Sequence, residues 1–176
     1  QKEIPTFAYA ERSNLSAAIK TARPRVLIPA FPGTNCEFDT AKALADAGAD
    51  PEIFLVRNLS KAAISASVEE FAKKVSDAQM IFIPGGFSGG DEPDGSGKFI
   101  TAFFRNAAVK EAVTELLDQR GGLMAGICNG FQALIKLGRV PYGRIMDTDE
   151  SCPTLTFNTI ARHQARLVRT RICSVK

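Results

Sequence analysis

The sequence predicts an α/β fold built on an open, mostly parallel, doubly wound sheet. Short uncharged apolar runs alternate along the chain with segments in which apolar residues recur at helical spacing. Glycine or proline follows several of these runs, as is typical where a buried strand ends in a loop. Of the 176 residues, 45% are hydrophobic and 23% are charged, which is typical of a globular domain and excludes a disordered chain. We assign residues 25–176 to this domain and residues 1–24 to a linker from a preceding domain.

The first strand and helix of the domain are predicted between residues 26 and 48. Residues 26–30 form a short apolar run that ends in Phe31-Pro32-Gly33, so we expect a buried strand that leads into a loop. Residues 38–47 follow, with apolar side chains at helical spacing, and Gly48 is placed to end this helix.

A second strand and helix are predicted between residues 53 and 75. Residues 53–56 are another apolar run. Ser67 and Glu70 then match the capping box, in which the serine side chain bonds forward to a backbone amide and the glutamate bonds back. We therefore predict a helix that begins at Ser67 and reaches about Val75.

Two further strand and helix units are predicted in the same way. Their strands and helices cover residues 80–83, 109–117, 123–127 and 131–137. Pro84-Gly85-Gly86 ends the third strand, and Gly138 closes the last helix. Four apolar strands that alternate with helices predict a parallel sheet covered on both faces.

The pattern changes after residue 150. Residues 154–159 and 165–172 alternate apolar and polar side chains with a period of two. We therefore predict that antiparallel strands are added to the same body after residue 150.

Charge and hydropathy exclude two classes of partner. Residues 151–176 contain five basic residues and no acidic ones, but aromatic residues are not interleaved with the arginines as stacking on bases would need. We therefore predict no nucleic-acid partner. The longest uncharged apolar runs are far shorter than the ~18 residues of a membrane span, so we predict no membrane association.

The cysteines and the termini indicate a cytoplasmic protein without a metal site. The four cysteines lack the close spacing of zinc ligands; they are Cys36, Cys128, Cys152 and Cys173. The N-terminal residues show no signal-peptide pattern, so a disulfide framework is not expected and a reducing compartment fits.

The motif Gly126-Ile127-Cys128-Asn129-Gly130 has the form of a nucleophile elbow, with cysteine as the nucleophile. It lies between the fourth predicted strand and a helix, and glycine two residues before and after leaves room around the sulfur. The positive end of that helix stabilises negative charge on the sulfur. The amide of Asn129 is placed to bind a developing oxyanion.

Other candidate residues lie in loops at the same end of the sheet. Residues 84–91 form a glycine-rich loop after the third strand. We predict that an amide there is a second oxyanion donor beside Cys128, and the alternative is that the loop is only a flexible turn. Cys36 lacks the bracketing glycines and is interpreted as structural. Gln132 lies one helical turn after Cys128 and shares its face. His163 is the single histidine, and nothing in the local pattern directs it toward Cys128.

Together these residues resemble the class I, or triad, glutamine amidotransferases. Residues 126–132 match the signature G-x-C-x-G-x-Q. Within that family the sequence is most similar to the glutaminase domain of phosphoribosylformylglycinamidine synthase in its large single-chain form. The supporting segments are residues 31–37, 84–91 and 154–159, in the family's order, and the resemblance covers about residues 25–176. It implies a flavodoxin-like sheet.

The resemblance also implies an activity and a set of site residues. Cys128 would attack the side-chain amide of glutamine and form a thioester, with amides at Gly86 and Asn129 binding the oxyanion. Gly85, Phe87 and Gln132 would hold the substrate. No cofactor is expected in this domain; ammonia would pass to a synthetase domain of the same polypeptide, which uses ATP and magnesium in purine biosynthesis. The family's catalytic histidine and glutamate come later than Lys176, so a C-terminally truncated and inactive fragment is expected.

Three alternatives stay open at this point. A DJ-1-like protein also carries an elbow cysteine. A non-catalytic amidotransferase-like domain would retain the fold without the activity, and a Cys128–His163 dyad would make a hydrolase. Gln132 and residues 31–37 favour the glutaminase.

Overall fold

The computed structural model describes residue 8 and residues 20–88, 97–155 and 158–170. Four strands form a parallel sheet in the order β3-β1-β4-β6, and two short strands, β2 and β5, pair antiparallel beside it. The strands are β1 (Arg25–Ala30), β2 (Thr34–Asn35), β3 (Asp50–Leu55), β4 (Met80–Ile83), β5 (Gly85–Gly86) and β6 (Leu123–Gly126). The predicted α/β class with a mostly parallel sheet is confirmed.

The helices follow the strands as the alternating pattern predicts, and two further helices appear. The helices are α1 (Glu37–Asp46), α2 (Lys61–Asp77), α3 (Lys98–Arg105), α4 (Ala107–Thr114), α5 (Asn129–Lys136) and α6 (Arg139–Tyr142). A π-helical turn, Glu115–Gln119, continues α4. Helices α3 and α6 were not predicted from the sequence.

The start of α2 corrects the predicted capping box. The helix begins two turns earlier than expected, after Ser60, whose side-chain oxygen accepts a hydrogen bond from the Ala63 amide at 3.1 Å. Ser67 is instead fully buried inside the helix, and its hydroxyl oxygen accepts from the Arg57 amide at 3.0 Å. The local pattern at Ser67 was misleading because a tertiary contact uses the hydroxyl.

The two faces of the sheet are covered unequally. Leu27 of β1 points into the larger core, which α2, α3, α4 and α5 complete. Its neighbours Val26 and Ile28 point into a smaller cluster on the opposite face, which α1 covers. Alternation along one strand therefore produces helices on both faces, as a doubly wound sheet requires.

Phenylalanine rings occupy the centre of the larger core. Phe71 of α2 contacts Phe103 and Phe104 of α3 with ring centroids 5.3 and 5.6 Å apart. Phe31, the residue after β1, packs edge-on against Phe103 at 5.4 Å and is 3% exposed. Because such rings bury large apolar areas, this contact anchors the loop that follows β1.

The segment after α6 departs from the sequence prediction. None of the described residues in 151–155 and 158–170 forms a strand, so the predicted antiparallel strands are wrong over that part of the chain; residues 156–157 and 171–172 lie outside it. Leu167 is fully exposed. A period-two pattern creates a strand when a partner edge is present, and no described strand pairs with this segment. The antiparallel pair in the structure is β2 with β5.

Two other predictions concern the linker at residues 1–24 and the possibility of a membrane-spanning helix. The predicted linker, residues 1–24, lies mostly outside the described residues. Within the described ranges, no helix has the length and apolar character needed to cross a bilayer.

Candidate active site at the carboxyl end of the sheet

The strand order has its switch point between β1 and β4. The chain leaves β1 toward β3 on one side, whereas β4 is followed by β6 on the other, so the order reverses between these two strands. Ligands of open α/β sheets bind beyond the carboxyl ends of the strands at such a switch point. Strands β2 and β5 directly follow β1 and β4, and their small sheet forms at this position.

Cys128 lies in a strained turn between β6 and α5. Its backbone has φ 52° and ψ −110°, and its side chain is exposed. A residue with a side chain occupies this region at a cost of about 1–3 kcal/mol, which the surrounding structure must offset. Hydrogen bonds from the Gly130 amide to Ile127 O at 2.9 Å and Pro84 O at 3.2 Å hold the turn against β4. The turn therefore presents the sulfur at the start of a helix, as predicted.

The two glycines of the motif serve close packing of the backbone. A Cβ atom on Gly130 would lie 2.3 Å from Ile83 O, and one on Gly126 would lie 2.7 Å from the carbonyl carbon of Gly130. Both distances are shorter than any real contact. From the sequence we expected these glycines to leave space around the sulfur. The structure shows instead that they allow α5 to pack closely against β6 and β4.

Strand β5 lies directly beside the nucleophile. A Cβ atom on Gly85 would be 3.3 Å from Cys128 Cβ and 4.0 Å from its Sγ. The Phe87 amide donates to Gly33 O at 2.8 Å, which makes the 33/87 pair hydrogen-bonded. In an antiparallel ladder the next pair, Thr34 with Gly86, is then not hydrogen-bonded, so the Gly86 amide faces away from β2.

A buried polar chain connects this loop with α5. Asn129 and Ser88 are each 1% exposed. The Ser88 hydroxyl donates to Asn129 Oδ1 at 2.6 Å, and the Asn129 side-chain amide donates to Gln132 Oε1 at 3.3 Å. Sequence reasoning identified Asn129 and Gln132 but missed Ser88, because a serine in a glycine-rich loop carries no distinctive signal.

The remaining candidate side chains, those of Phe87, Cys36 and His163, are all exposed. Phe87 is 58% exposed at the end of β5, on the loop that carries Gly85. Cys36 precedes α1 with φ 67° and is exposed. His163 lies in the exposed segment after α6, and no hydrogen bond joins it to Cys128. In the described part of the chain, no cluster of three or more histidine, cysteine or acidic residues could hold a metal ion.

Comparison with known proteins identifies the family of the chain. Residues 23–176 match the family described as a CobB/CobQ-like glutamine amidotransferase domain. The chain belongs to this family. The match spans most of the chain and includes the elbow, both strands of the small sheet and α5. The glutamine amidotransferase resemblance seen in the sequence is therefore confirmed at the level of the family.

Curated relatives of this amidotransferase domain share about a third of its residues. The phosphoribosylformylglycinamidine synthase subunit PurQ of Methanococcus maripaludis strain S2 is 35% identical over 145 residues, which are 82% of this chain and 48% of the relative. The protein of the same name from Treponema denticola is 36% identical over 152 residues, which are 82% of this chain and 52% of the relative. The chain thus spans about half the length of these relatives.

One solved structure is also similar. The structure of PurLQS from Thermotoga maritima matches with 29% identity and a TM-score of 0.45, over 66% of this chain and 45% of that chain. The relatives are named as a subunit, so the expected large single-chain form is not confirmed.

Proposed function

We propose that this domain supplies ammonia by hydrolysing glutamine for phosphoribosylformylglycinamidine synthase, and that Cys128 is its nucleophile. The observation that carries the proposal is the elbow itself: an exposed cysteine with φ 52° at the N-terminus of α5, beside the glycine strand β5. Family membership and the names of the relatives support the substrate and the pathway.

The geometry supports a thioester mechanism. The Cys128 thiolate attacks the side-chain carbonyl carbon of glutamine, and the carbonyl oxygen becomes an oxyanion. The amides of Asn129 and Gly86 approach this position from α5 and β5 and stabilise the charge. The C–N bond then breaks, the nitrogen takes a proton and leaves as ammonia, and a γ-glutamyl thioester remains. Water hydrolyses the thioester to glutamate and restores the thiol.

Substrate binding is assigned to three residues around the sulfur. Gly85 leaves the space beside Cys128 open because it has no side chain. Phe87 offers an exposed apolar wall for the methylene groups of glutamine. Gln132 lies one turn after Cys128 on α5 and offers polar atoms to the substrate. Its side-chain oxygen also accepts a hydrogen bond from the Asn129 side chain.

The proton transfers need a base that the described residues do not supply at Cys128. His163 makes no hydrogen bond with the sulfur, so the structure gives no support to a Cys128–His163 dyad. We assign the base to a histidine and a glutamate in the half of the relatives that this chain does not match, as the family resemblance implies. The chain by itself then hydrolyses glutamine poorly.

The ammonia acceptor is a synthetase that converts formylglycinamide ribonucleotide to formylglycinamidine ribonucleotide with ATP and magnesium. In this proposal ATP and magnesium bind the synthetase. The family resemblance favours a synthetase on the same polypeptide, and the relatives' names favour a separate subunit. The mass of the complete polypeptide distinguishes the two arrangements, and a cytoplasmic location fits both.

Labelling by a glutamine-like electrophile tests the assignment. A diazo-ketone analogue of norleucine should modify Cys128 in the complete protein, and excess glutamine should protect it. Cys36, which is also exposed, is the internal control and should stay unmodified. If the folded complete protein is not labelled at Cys128, the domain is a non-catalytic member of the family. Membership of the amidotransferase family argues against the DJ-1-like alternative.

A further inference from the structure

We propose that Ser88 is a positioning residue of the oxyanion site, acting through Asn129. Its hydroxyl fixes the end of β5 against the start of α5, so that the amides of Gly86 and Asn129 are held at one spacing. This inference rests on the proposed hydrolysis of glutamine at Cys128. The Ser88–Asn129 pair is called the clasp below.

The clasp is short, buried and long-range in sequence. The Ser88 hydroxyl and the Ser88 amide both donate to Asn129 Oδ1, at 2.6 and 3.4 Å. The two residues are 41 positions apart, and each is 1% exposed. Because water does not reach this oxygen, removal of the hydroxyl leaves a buried acceptor with its weaker partner alone.

The clasp joins the two segments that carry the proposed oxyanion donors. The two proposed oxyanion donors belong to different segments, since Gly86 is in β5 and Asn129 begins α5. Strand β5 is bonded to β2 on one side, where the Phe87 amide donates to Gly33 O. The clasp bonds the residue after Phe87 to the elbow on the other side. Without the clasp, β5 stays paired with β2, but the distance between β5 and the elbow is no longer fixed.

The clasp also reaches the proposed substrate contact. The side-chain amide of Asn129 donates to Gln132 Oε1 at 3.3 Å, so one asparagine orients both the loop after β5 and Gln132. The backbone amide of Ser88 can only donate, so it directs the oxygen of this asparagine toward Ser88 and its nitrogen toward Gln132, and the Ser88 hydroxyl adds the shorter bond to the same oxygen.

The first test is Ser88→Ala in the complete protein, measured as inactivation by the diazo-ketone norleucine analogue. We expect the limiting inactivation rate to fall about 10- to 100-fold, as small misplacements of reacting groups do. The half-saturating concentration of the analogue should change by less than about threefold, because the Asn129–Gln132 contact does not include the Ser88 hydroxyl and is retained. Alkylation of Cys128 by iodoacetamide should stay within about twofold, since this reagent uses no oxyanion site.

Ser67→Ala is the matched control. Ser67 is also a fully buried serine whose hydroxyl oxygen binds a backbone amide, that of Arg57, beside the opposite edge strand β3. Both variants should lower the thermal midpoint, whereas Ser88→Ala alone should slow the inactivation. Equal slowing in both variants would show that Ser88 acts through general stability, which overturns the proposal.

A double-mutant cycle separates the clasp from independent effects. If Ser88 acts through Asn129, then Ser88→Ala combined with Asn129→Ala should be no slower than Asn129→Ala alone. Multiplied single effects would overturn the proposal. Failure of the proposed function looks different: wild-type Cys128 would not react with the analogue at all. A reactive wild type with an unchanged Ser88→Ala variant rejects the clasp and leaves the function standing.

Discussion

Two exposed cysteines occupy the first position before a helix, each with a positive φ, and they differ in almost everything else. Cys36 precedes α1 with φ 67° and ψ 17°, the ordinary left-handed conformation. Cys128 precedes α5 with φ 52° and ψ −110°, which is not left-handed helical and occurs where the surroundings impose it. A position at the start of a helix is therefore not enough to identify a cysteine as a nucleophile.

The environments of the two cysteines show what imposes the difference. Two glycines near Cys128 allow close packing because they lack side chains. Gly85 lies beside the Cys128 side chain, and Gly130 packs against the backbone of Ile83. Cys36 follows β2, and the first turn of its helix carries Glu37 and Asp39. The first turn of α5 carries no acidic residue. The two cysteines therefore differ both in packing and in the charges of the helical turn that follows them.

The largest expected difference is in activity. Cys128→Ala should lower glutamine-dependent synthesis by the complete enzyme at least about 1,000-fold, because in the proposed mechanism Cys128 forms the thioester. Ammonia-dependent synthesis should be retained, since the proposal assigns the acceptor chemistry to the synthetase. Cys36→Ala is the matched control and should leave both rates unchanged. Equal loss of both activities in Cys128→Ala would contradict the proposed division of labour.

The next difference concerns the glycines of the two helices. Gly130→Ala places Cβ 2.3 Å from Ile83 O, a backbone atom that cannot move away cheaply. We expect the free energy of unfolding to fall by about 3 kcal/mol or more. Gly48→Ala, just after α1, meets nothing within 4 Å and has a strained φ of +93°. It should cost about 1 kcal/mol. Urea denaturation measures both, and equal losses would show that the close approach at Gly130 is unimportant.

The sequence alone was enough for the four strands of the parallel sheet and for the elbow, because apolar runs and a glycine-bracketed cysteine are local signals. It did not reveal α3, which begins after Gly97 in a left-handed conformation and has no side-chain cap. It also placed the α2 cap at Ser67 in place of Ser60, and it missed Ser88. In the last two cases a serine hydroxyl bonds to a distant segment, and a contact of that kind leaves no periodic trace in the sequence.

Reactivity toward a small electrophile should separate the two thiols more modestly. We expect iodoacetamide to modify Cys128 about tenfold faster than Cys36, since the first turn of α1 carries two carboxylates that oppose negative charge on the attacking sulfur, and the first turn of α5 carries none. Mass spectrometry of the two peptides gives both rates in one experiment. Replacing Glu37 and Asp39 by Gln and Asn should speed the reaction of Cys36 and leave that of Cys128 unchanged. If it leaves Cys36 equally slow, the charge argument is wrong.

The smallest expected effect concerns backbone conformation at Cys36. Asparagine adopts the left-handed conformation more readily than other residues with side chains, and Cys36 holds that conformation with φ 67° and ψ 17°. Cys36→Asn should therefore raise the free energy of unfolding by about 0.5 kcal/mol relative to Cys36→Ala. Cys128→Asn should bring no such gain over Cys128→Ala, because ψ −110° lies outside the region that asparagine favours. A similar gain at both positions would mean that the two turns are energetically alike, and the unusual backbone of Cys128 would then need no support from the glycines around it.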